Sequence, residues 1–556
     1  MRDSARRFGI PQAAGLAALL FLTALLFVLG YRLTPPGGAA SGGSSLKLLR
    51  RRIPQRANLV LITIDGLRLD RVGVYGAAGP SPTPKIDSLA RQGFRFEQAV
   101  TPFPASLPAH AALMTGLGPA AAGIVRPLLG ALPESRTTLA ETLRDAGLRT
   151  AAFLGSGALG PWSGLAQGFE TYDAPQGEGL PATSRALAGR EASEVVDAAR
   201  AWVDDHFRHR FFLWAQLSDP LSHQAAPEGE RRRRYDAAVA EADAGLGRLL
   251  DRLASLGVMD QTIVAVAASH GLGLGDHGEG GSGAHLYDTT VRVPLLLRLP
   301  DGRVRDRSIP EQVRLVDLAP TLLDLLRIED DAPRAGESLV PLLDPQGALP
   351  PLPAVSETTF QEVFLGGPRL VSLRFRGWKY VDGPAPLLFN LRDDPGETED
   401  LSAESRSRVE RMRAELLRAA GPAATPGGGA APGRRAIELI EEGIAALRAG
   451  RSARARGALS RLVGLLDDGG AGSARDGRGA LPPGPPPALL ALLGASLQLE
   501  GRPEEALPVY ERALAALGDG GAGGVLEGRA SLEAVLRAEI SVCSGAATGL
   551  TRFLGL

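Results

Sequence analysis

Asn58-Leu-Val-Leu-Ile-Thr-Ile-Asp65-Gly66 is the stretch that decides the fold. Its apolar and β-branched run, Leu59 to Ile64, ends abruptly in a carboxylate and a glycine. A continuous apolar run of this kind predicts a strand buried on both faces, in the middle of an α/β sheet. Such sheets take ligands in the crevice beyond the carboxyl ends of their strands. Asp65 therefore stands where a metal ligand or catalytic carboxylate would stand. The plainer alternative is a residue that opens a turn or caps a helix.

Upstream, Ala13 to Gly30 carries no charge and follows Arg2, Arg6 and Arg7. That run is long enough to span a bilayer and longer than the usual apolar core of a cleaved signal. It predicts a single-pass anchor over 13–31, with residues 1–12 cytoplasmic and 32–56 a tether. The bulk of the chain would be periplasmic or extracellular by the positive-inside rule. A cleaved signal is the alternative. The formal net charge of −1 over 556 residues argues against a nucleic-acid partner. With Cys543 as the single cysteine, neither an intrachain disulfide nor a cysteine-based zinc site can form.

Downstream of Asp65 come Arg68-Leu-Asp70-Arg-Val-Gly-Val-Tyr-Gly76 and Thr83-Pro-Lys-Ile-Asp87-Ser-Leu-Ala-Arg-Gln-Gly-Phe-Arg-Phe96. The second predicts a short helix that runs into a strand. Next is Thr101-Pro-Phe-Pro-Ala-Ser106-Leu-Pro108-Ala-His110-Ala-Ala-Leu-Met-Thr115-Gly116. Here a serine precedes what reads as a helix start, where backbone N–H groups would favour an anionic ester. Taken alone, Ser106 reads as a simple N-cap.

The order of these segments resembles the sulfatase family of the alkaline-phosphatase superfamily. Phe211 to Pro220, Tyr235 to Leu253, Thr262 to Gly271, Leu286 to Leu297, Val316 to Leu325, Gly336 to Leu343, Gly377 to Tyr380 and Leu388 to Leu401 extend the likeness. It covers about residues 57–418. The fold it implies is an α/β/α sandwich with a small C-terminal antiparallel sheet. The activity it implies is hydrolysis or transfer of sulfate or phosphate esters, with one divalent metal ion and an anionic ester substrate. Residue by residue, the resemblance makes Ser106 the nucleophile and His110 the oxyanion contact. Asp65, Ser106 and His270 would be metal ligands, and His277 and His285 would bind substrate. A Cys-derived formylglycine is excluded, because Ser106 stands at the nucleophile position.

Several positions depart from the family pattern. Gly66 stands where a second oxygen ligand is common, Ser269 where the Asp of an Asp-His metal pair is expected, and Leu272 where an acidic residue follows. Gln216 and Ser282 replace histidines, and Ala109 replaces a serine. A neutral hydroxyl is a poor substitute for a carboxylate on a hard cation. Asp276 is a conceivable substitute carboxylate, and His223 is a further histidine near the site in sequence. The glycine-rich run from Gly271 to Gly283 lacks a Walker lysine and a Rossmann spacing, so it is no nucleotide cradle. Arg231 to Arg234, among acidic neighbours, reads as a solvated helix start.

Residues 419–433 are a linker by composition. Over 434–548, Leu493-Gly494, Gly501, Ala506, Tyr510 and Ala513 resemble a tetratricopeptide repeat, and Gly443, Gly450, Ala455 and Leu459 repeat the offsets more weakly. An unrelated pair of helical hairpins is the alternative. Such repeats offer a groove to a protein partner. Two functions remain in view: a metal-dependent ester hydrolase, or a catalytically inactive pseudoenzyme that binds or scaffolds through its helical repeats.

Overall fold

A computed structural model describes residues 53–177, 186–222, 228–420, 432–467, 484–519 and 532–544, apart from positions 55, 78, 129, 301, 303 and 534. Strand β1 spans Asn58–Asp65 and is buried along its whole length, as a doubly covered strand must be. The remaining strands of the main sheet are β2 (Phe94–Val100), β3 (Arg149–Leu154), β4 (Thr171–Asp173), β5 (Phe211–Leu217), β6 (Thr262–His270), β7 (Arg292–Arg298) and β8 (Arg307–Arg314). Their order is β4-β3-β5-β1-β6-β7-β2-β8.

Strand β1 runs parallel to β5 and β6, whereas β7 is antiparallel to both β6 and β2. Helices cover both faces, giving three layers. Helix α1 (Ser106–Thr115) packs against β6 on one side, and helices α2 (Ala192–His206) and α3 (Glu228–Ser255) pack together on the other. A register shift between Ile64 and Asp65 pairs Asp65 with His270, so the two strand ends present these side chains together.

A second sheet, β12-β11-β10-β9, is antiparallel: β9 (Ala354–Thr358), β10 (Leu370–Phe375), β11 (Trp378–Asp382) and β12 (Leu387–Asn390). Its apolar face, with Val371, Leu373, Tyr380 and Leu388, packs on Met412 and Leu416 of helix α4 (Arg406–Ala420). The α/β sulfatase-like architecture with its small antiparallel sheet is thus observed.

The C-terminal region is helical. Helices α5 (Arg434–Arg448) and α6 (Ser452–Asp467) form one hairpin, and α7 (Pro487–Leu499) and α8 (Pro503–Asp519) a second. Each hairpin is closed by a glycine that receives a large side chain. A Cβ on Gly443 would come within 2.5 Å of Leu459, and one on Gly494 within 2.6 Å of Tyr510. The two glycines sit at matching offsets from their partners. This core is continuous with the main domain, since Leu128, Phe360, Phe364 and Leu365 join Ile440, Ile444 and Leu493 in one buried cluster.

The expectation of a single-pass protein at the cell membrane is corrected. Among the described residues, no helix is long and apolar enough to cross a membrane. The stretch 13–31 on which that expectation rested lies outside the described residues, as do most of the linker 419–433 and His223.

Candidate active site

Asp65 is fully buried at the end of β1, and three elements converge on it. Ser106 Oγ donates to its Oδ2 at 2.5 Å, and Ser269 Oγ donates to its Oδ1. Ser106 is not an N-cap. Ala105 holds that place without a side-chain bond, Ser106 is the first helical residue of α1, and its hydroxyl turns to the carboxylate instead.

His110 lies one helical turn further on and is locked in place behind the serine. Its Nδ1 is 2.7 Å from the Ser106 carbonyl, which can only accept, so Nδ1 carries the proton. Nε2 then accepts from Thr63 Oγ1 at 2.9 Å, and Thr63 in turn accepts from Trp214 Nε1–H at 2.9 Å. Burial lowers the His110 pKa more than Asp65 and the carbonyl raise it, which keeps the ring neutral. With both nitrogens engaged, His110 orients the serine's backbone and has no proton to offer an oxyanion.

His270 donates from Nδ1 to the Gly271 carbonyl at 2.7 Å, which leaves Nε2 as an acceptor. Burial lowers its pKa, and Arg448 and His110 add to that effect against Asp65. His277 and His285 are placed elsewhere. His277 stacks on Tyr287 at 3.8 Å between ring centroids, and His285 lies 5.8 Å from the same ring. Burial holds the His285 pKa down at about 4. Neither histidine lines the cavity beside Ser106, so the structure unites Asp65, Ser106, His110 and His270 and leaves these two apart.

The departures from the family pattern now have physical roles. Gly66 has φ +74°, and a Cβ there would stand 2.8 Å from Leu221, so no aspartate can simply be restored at that position. Gln216 Oε1 accepts from the N–H groups of Gly155 and Ser156 at 2.9 Å each, tying β5 to the end of β3. Leu272 is buried in the main core. Asp276 is held by Arg68, whose Nε also bonds Asp70 at 2.8 Å, so it is committed away from the site.

Sequence reasoning missed a cation. The cavity above Ser106 is lined by Ala105, His270, Ser282 and Phe360 together with Glu441, Ile444 and Arg448 of α5. These last three fall at i, i+3 and i+7, one face of a helix. An arginine and a glutamate on the otherwise apolar face of α5 were the available signal. Burial lowers the Arg448 pKa to about 10, and Asp65 is the group that pulls it back up.

A divalent cation does not fit this donor set. Both oxygens of Asp65 already accept from serine hydroxyls, the Glu441 carboxylate accepts from the Gly280 N–H, and a guanidinium shares the cavity. Among the described residues, no group of three or more His, Cys, Asp or Glu is placed to hold a metal. About 30 Å³ of the cavity is open to the centre of a water molecule, room for a water or two.

Comparison with known proteins agrees with the architecture. Residues 57–328 match the profile described as Sulfatase. Arylsulfatase A of Bos taurus is 26% identical over 447 residues, which cover 65% of this chain and 87% of that protein. A Δ4,5-hexuronate-2-O-sulfatase of Bacteroides thetaiotaomicron is 24% identical over 413 residues, covering 63% of this chain and 86% of its own. Among solved structures, the phosphonate monoester hydrolase of Agrobacterium radiobacter superposes with a TM-score of 0.56 at 20% identity, covering 66% of this chain and 96% of that one. These likenesses support a sulfatase-like fold and sulfatase-like hydrolase ancestry for residues 57–328.

Proposed function

We propose that this chain keeps the sulfatase fold as a binding or scaffold module and does not hydrolyse esters. One observation carries the reading: both oxygens of Asp65 are taken by serine hydroxyls, and a guanidinium lines the cavity beside Ser106. Without a Lewis acid, the Ser106 hydroxyl at neutral pH is a weak nucleophile. His110, neutral and bonded at both nitrogens, does not supply the missing base. The helical hairpins, built like repeats that hold peptides, are the surface offered to a protein partner.

The competing reading is a hydrolase or transferase of sulfate or phosphate esters, and it also has an observation in its favour. Ser106 sits at the start of a helix, hydrogen-bonded to a buried carboxylate. Calorimetry of the full chain with manganese, zinc, calcium and magnesium separates the two, paired with a screen of aryl sulfates and phosphates. No heat at millimolar metal and no turnover are the expected results. Micromolar binding that weakens in Asp65→Asn or His270→Ala, with ester cleavage, would overturn the proposal.

A further inference from the structure

The glycine-rich run after β6 is no nucleotide cradle, and the structure shows what it makes room for. A Cβ on Gly280 would sit 3.3 Å from Glu441 Oε2, one on Gly281 3.1 Å from Glu441 Oε1, and one on Gly278 3.3 Å from Arg434. Helix α5 is thus seated directly on this loop, and the Gly280 N–H donates to Glu441 Oε2 at 2.9 Å. On the far side of the cavity Phe360 belongs to the same buried cluster as Ile444 and Leu128. The polar bond and the apolar contact together fix the rotation of α5, and that rotation delivers Arg448 into the cavity beside Ser106 and His270.

We propose that Arg448 is the resident cation of this site, supplied in cis by the helical region in the charge-compensating place a divalent metal takes in catalytic members of the fold. The inference rests on the metal-free reading above and adds to it a residue and a consequence. A fully buried carboxylate that accepts only hydroxyl bonds is poorly stabilised, whereas a nearby guanidinium compensates its charge. Being always protonated, arginine does so without the pH dependence of metal binding. The helical hairpins are therefore an integral wall of the site, and their first binding partner is the catalytic face of their own chain.

A thermal-unfolding cycle on the full chain tests this, using Arg448→Met, Asp65→Asn, the double variant and Arg448→Lys. Arg448→Met is expected to lower Tm by about 3 °C, Arg448→Lys by less, and Arg448→Met in the Asp65→Asn background by little. About 1 mM manganese is expected to leave the Tm of the wild type unchanged. Equal losses from Arg448→Met in both backgrounds would make Arg448 a packing residue and overturn the proposal, while leaving the metal-free reading intact. Tight manganese binding by the wild type through Asp65 would overturn both. If Arg448→Met does not fold, recovery of a folded chain in the double variant is the expected result; failure of the double variant while Asp65→Asn folds would count against the proposal.

Discussion

Asp65 and Asp288 are both buried carboxylates, and the chain treats them in opposite ways. Asp288 accepts from Lys379 at 2.9 Å and lies 3.3 Å from Arg374, and Lys379 also meets Glu397 at 2.6 Å. Burial would raise the Asp288 pKa, but Lys379 and Arg374 outweigh it and hold the group well below the usual carboxylate range. Asp288 stands just before β7, Lys379 and Arg374 come from the small sheet, and Glu397 from the segment that follows that sheet, so the network closes when those neighbouring pieces meet. Among the described residues, no Lys or Arg of the main domain forms an ion pair with Asp65. Its hydroxyl partners come from α1 and β6, and its guanidinium neighbour comes from a different structural region altogether. The Asp288 cluster is therefore answered by neighbouring segments, whereas the guanidinium proposed to answer Asp65 comes from the helical region.

The largest effect should come from breaking the complete cluster. Lys379→Met leaves Asp288 and Glu397 without their shared partner and should cost about 3–5 kcal/mol in urea unfolding, more than any single change around Asp65. Separating the two regions comes next. Phe360→Ala empties a position shared by the main domain and the hairpins and should cost about 3 kcal/mol. It should also make α5 cleavable by protease while Asp288 and its partners stay folded.

Removing one hydroxyl from the Asp65 site should matter less. Ser269→Ala takes a donor from Asp65, and about 1–2 kcal/mol is expected in the same assay. A loss as large as that of Lys379→Met would erase the contrast between the two carboxylates.

The seam itself should respond to pH. Glu441 has its pKa raised to about 7, chiefly by burial, with Glu438 adding to it and Arg231 and the Gly280 and Gly281 N–H groups opposing. Glu279, buried across the seam, is also raised, by burial and by Glu441, with Lys379 opposing. A carboxyl raised in the folded state favours the protonated fold. That contribution is full below the ordinary glutamate range and fades as pH rises through about 7. Wild-type Tm should therefore fall from about pH 5 to about pH 8, and Glu441→Gln should flatten the decline. Smallest of all, His277→Ala loses one stacking contact with Tyr287, about 0.5 kcal/mol, and should leave any ligand binding at Ser106 unchanged.

Much of this was legible in the sequence. The run from Leu59 to Ile64 declared a central strand because only a doubly buried strand is apolar at every position. Asp65 at its end, Ser106 at a helix start and His270 at the end of β6 were placed by local pattern and by family resemblance. What local pattern misjudged were side-chain directions. Ser106 reads as a cap, yet its hydroxyl finds a stronger acceptor across the sheet. His110 reads as facing the ester, yet Thr63 and Trp214 hold its ring in the core. His277 and His285 are close in sequence to the metal loop, but the loop turns them onto Tyr287. Arg448 could be read only as a charge on the apolar face of α5, with nothing in its own helix to tie that face to Ser106.

The sequence by itself determined the sheet, the carboxylate at the end of its central strand and a neutral hydroxyl at Ser269. Those are properties of strand burial and residue chemistry, which act locally. Only the tertiary structure decided what answers Asp65's charge, because that depends on how one helix, pinned by Gly280 and Phe360, is rotated against a distant strand end. Electrostatic compensation inside a protein is fixed by distance in space, and residues 65 and 448 become neighbours only when two hydrophobic cores close on each other.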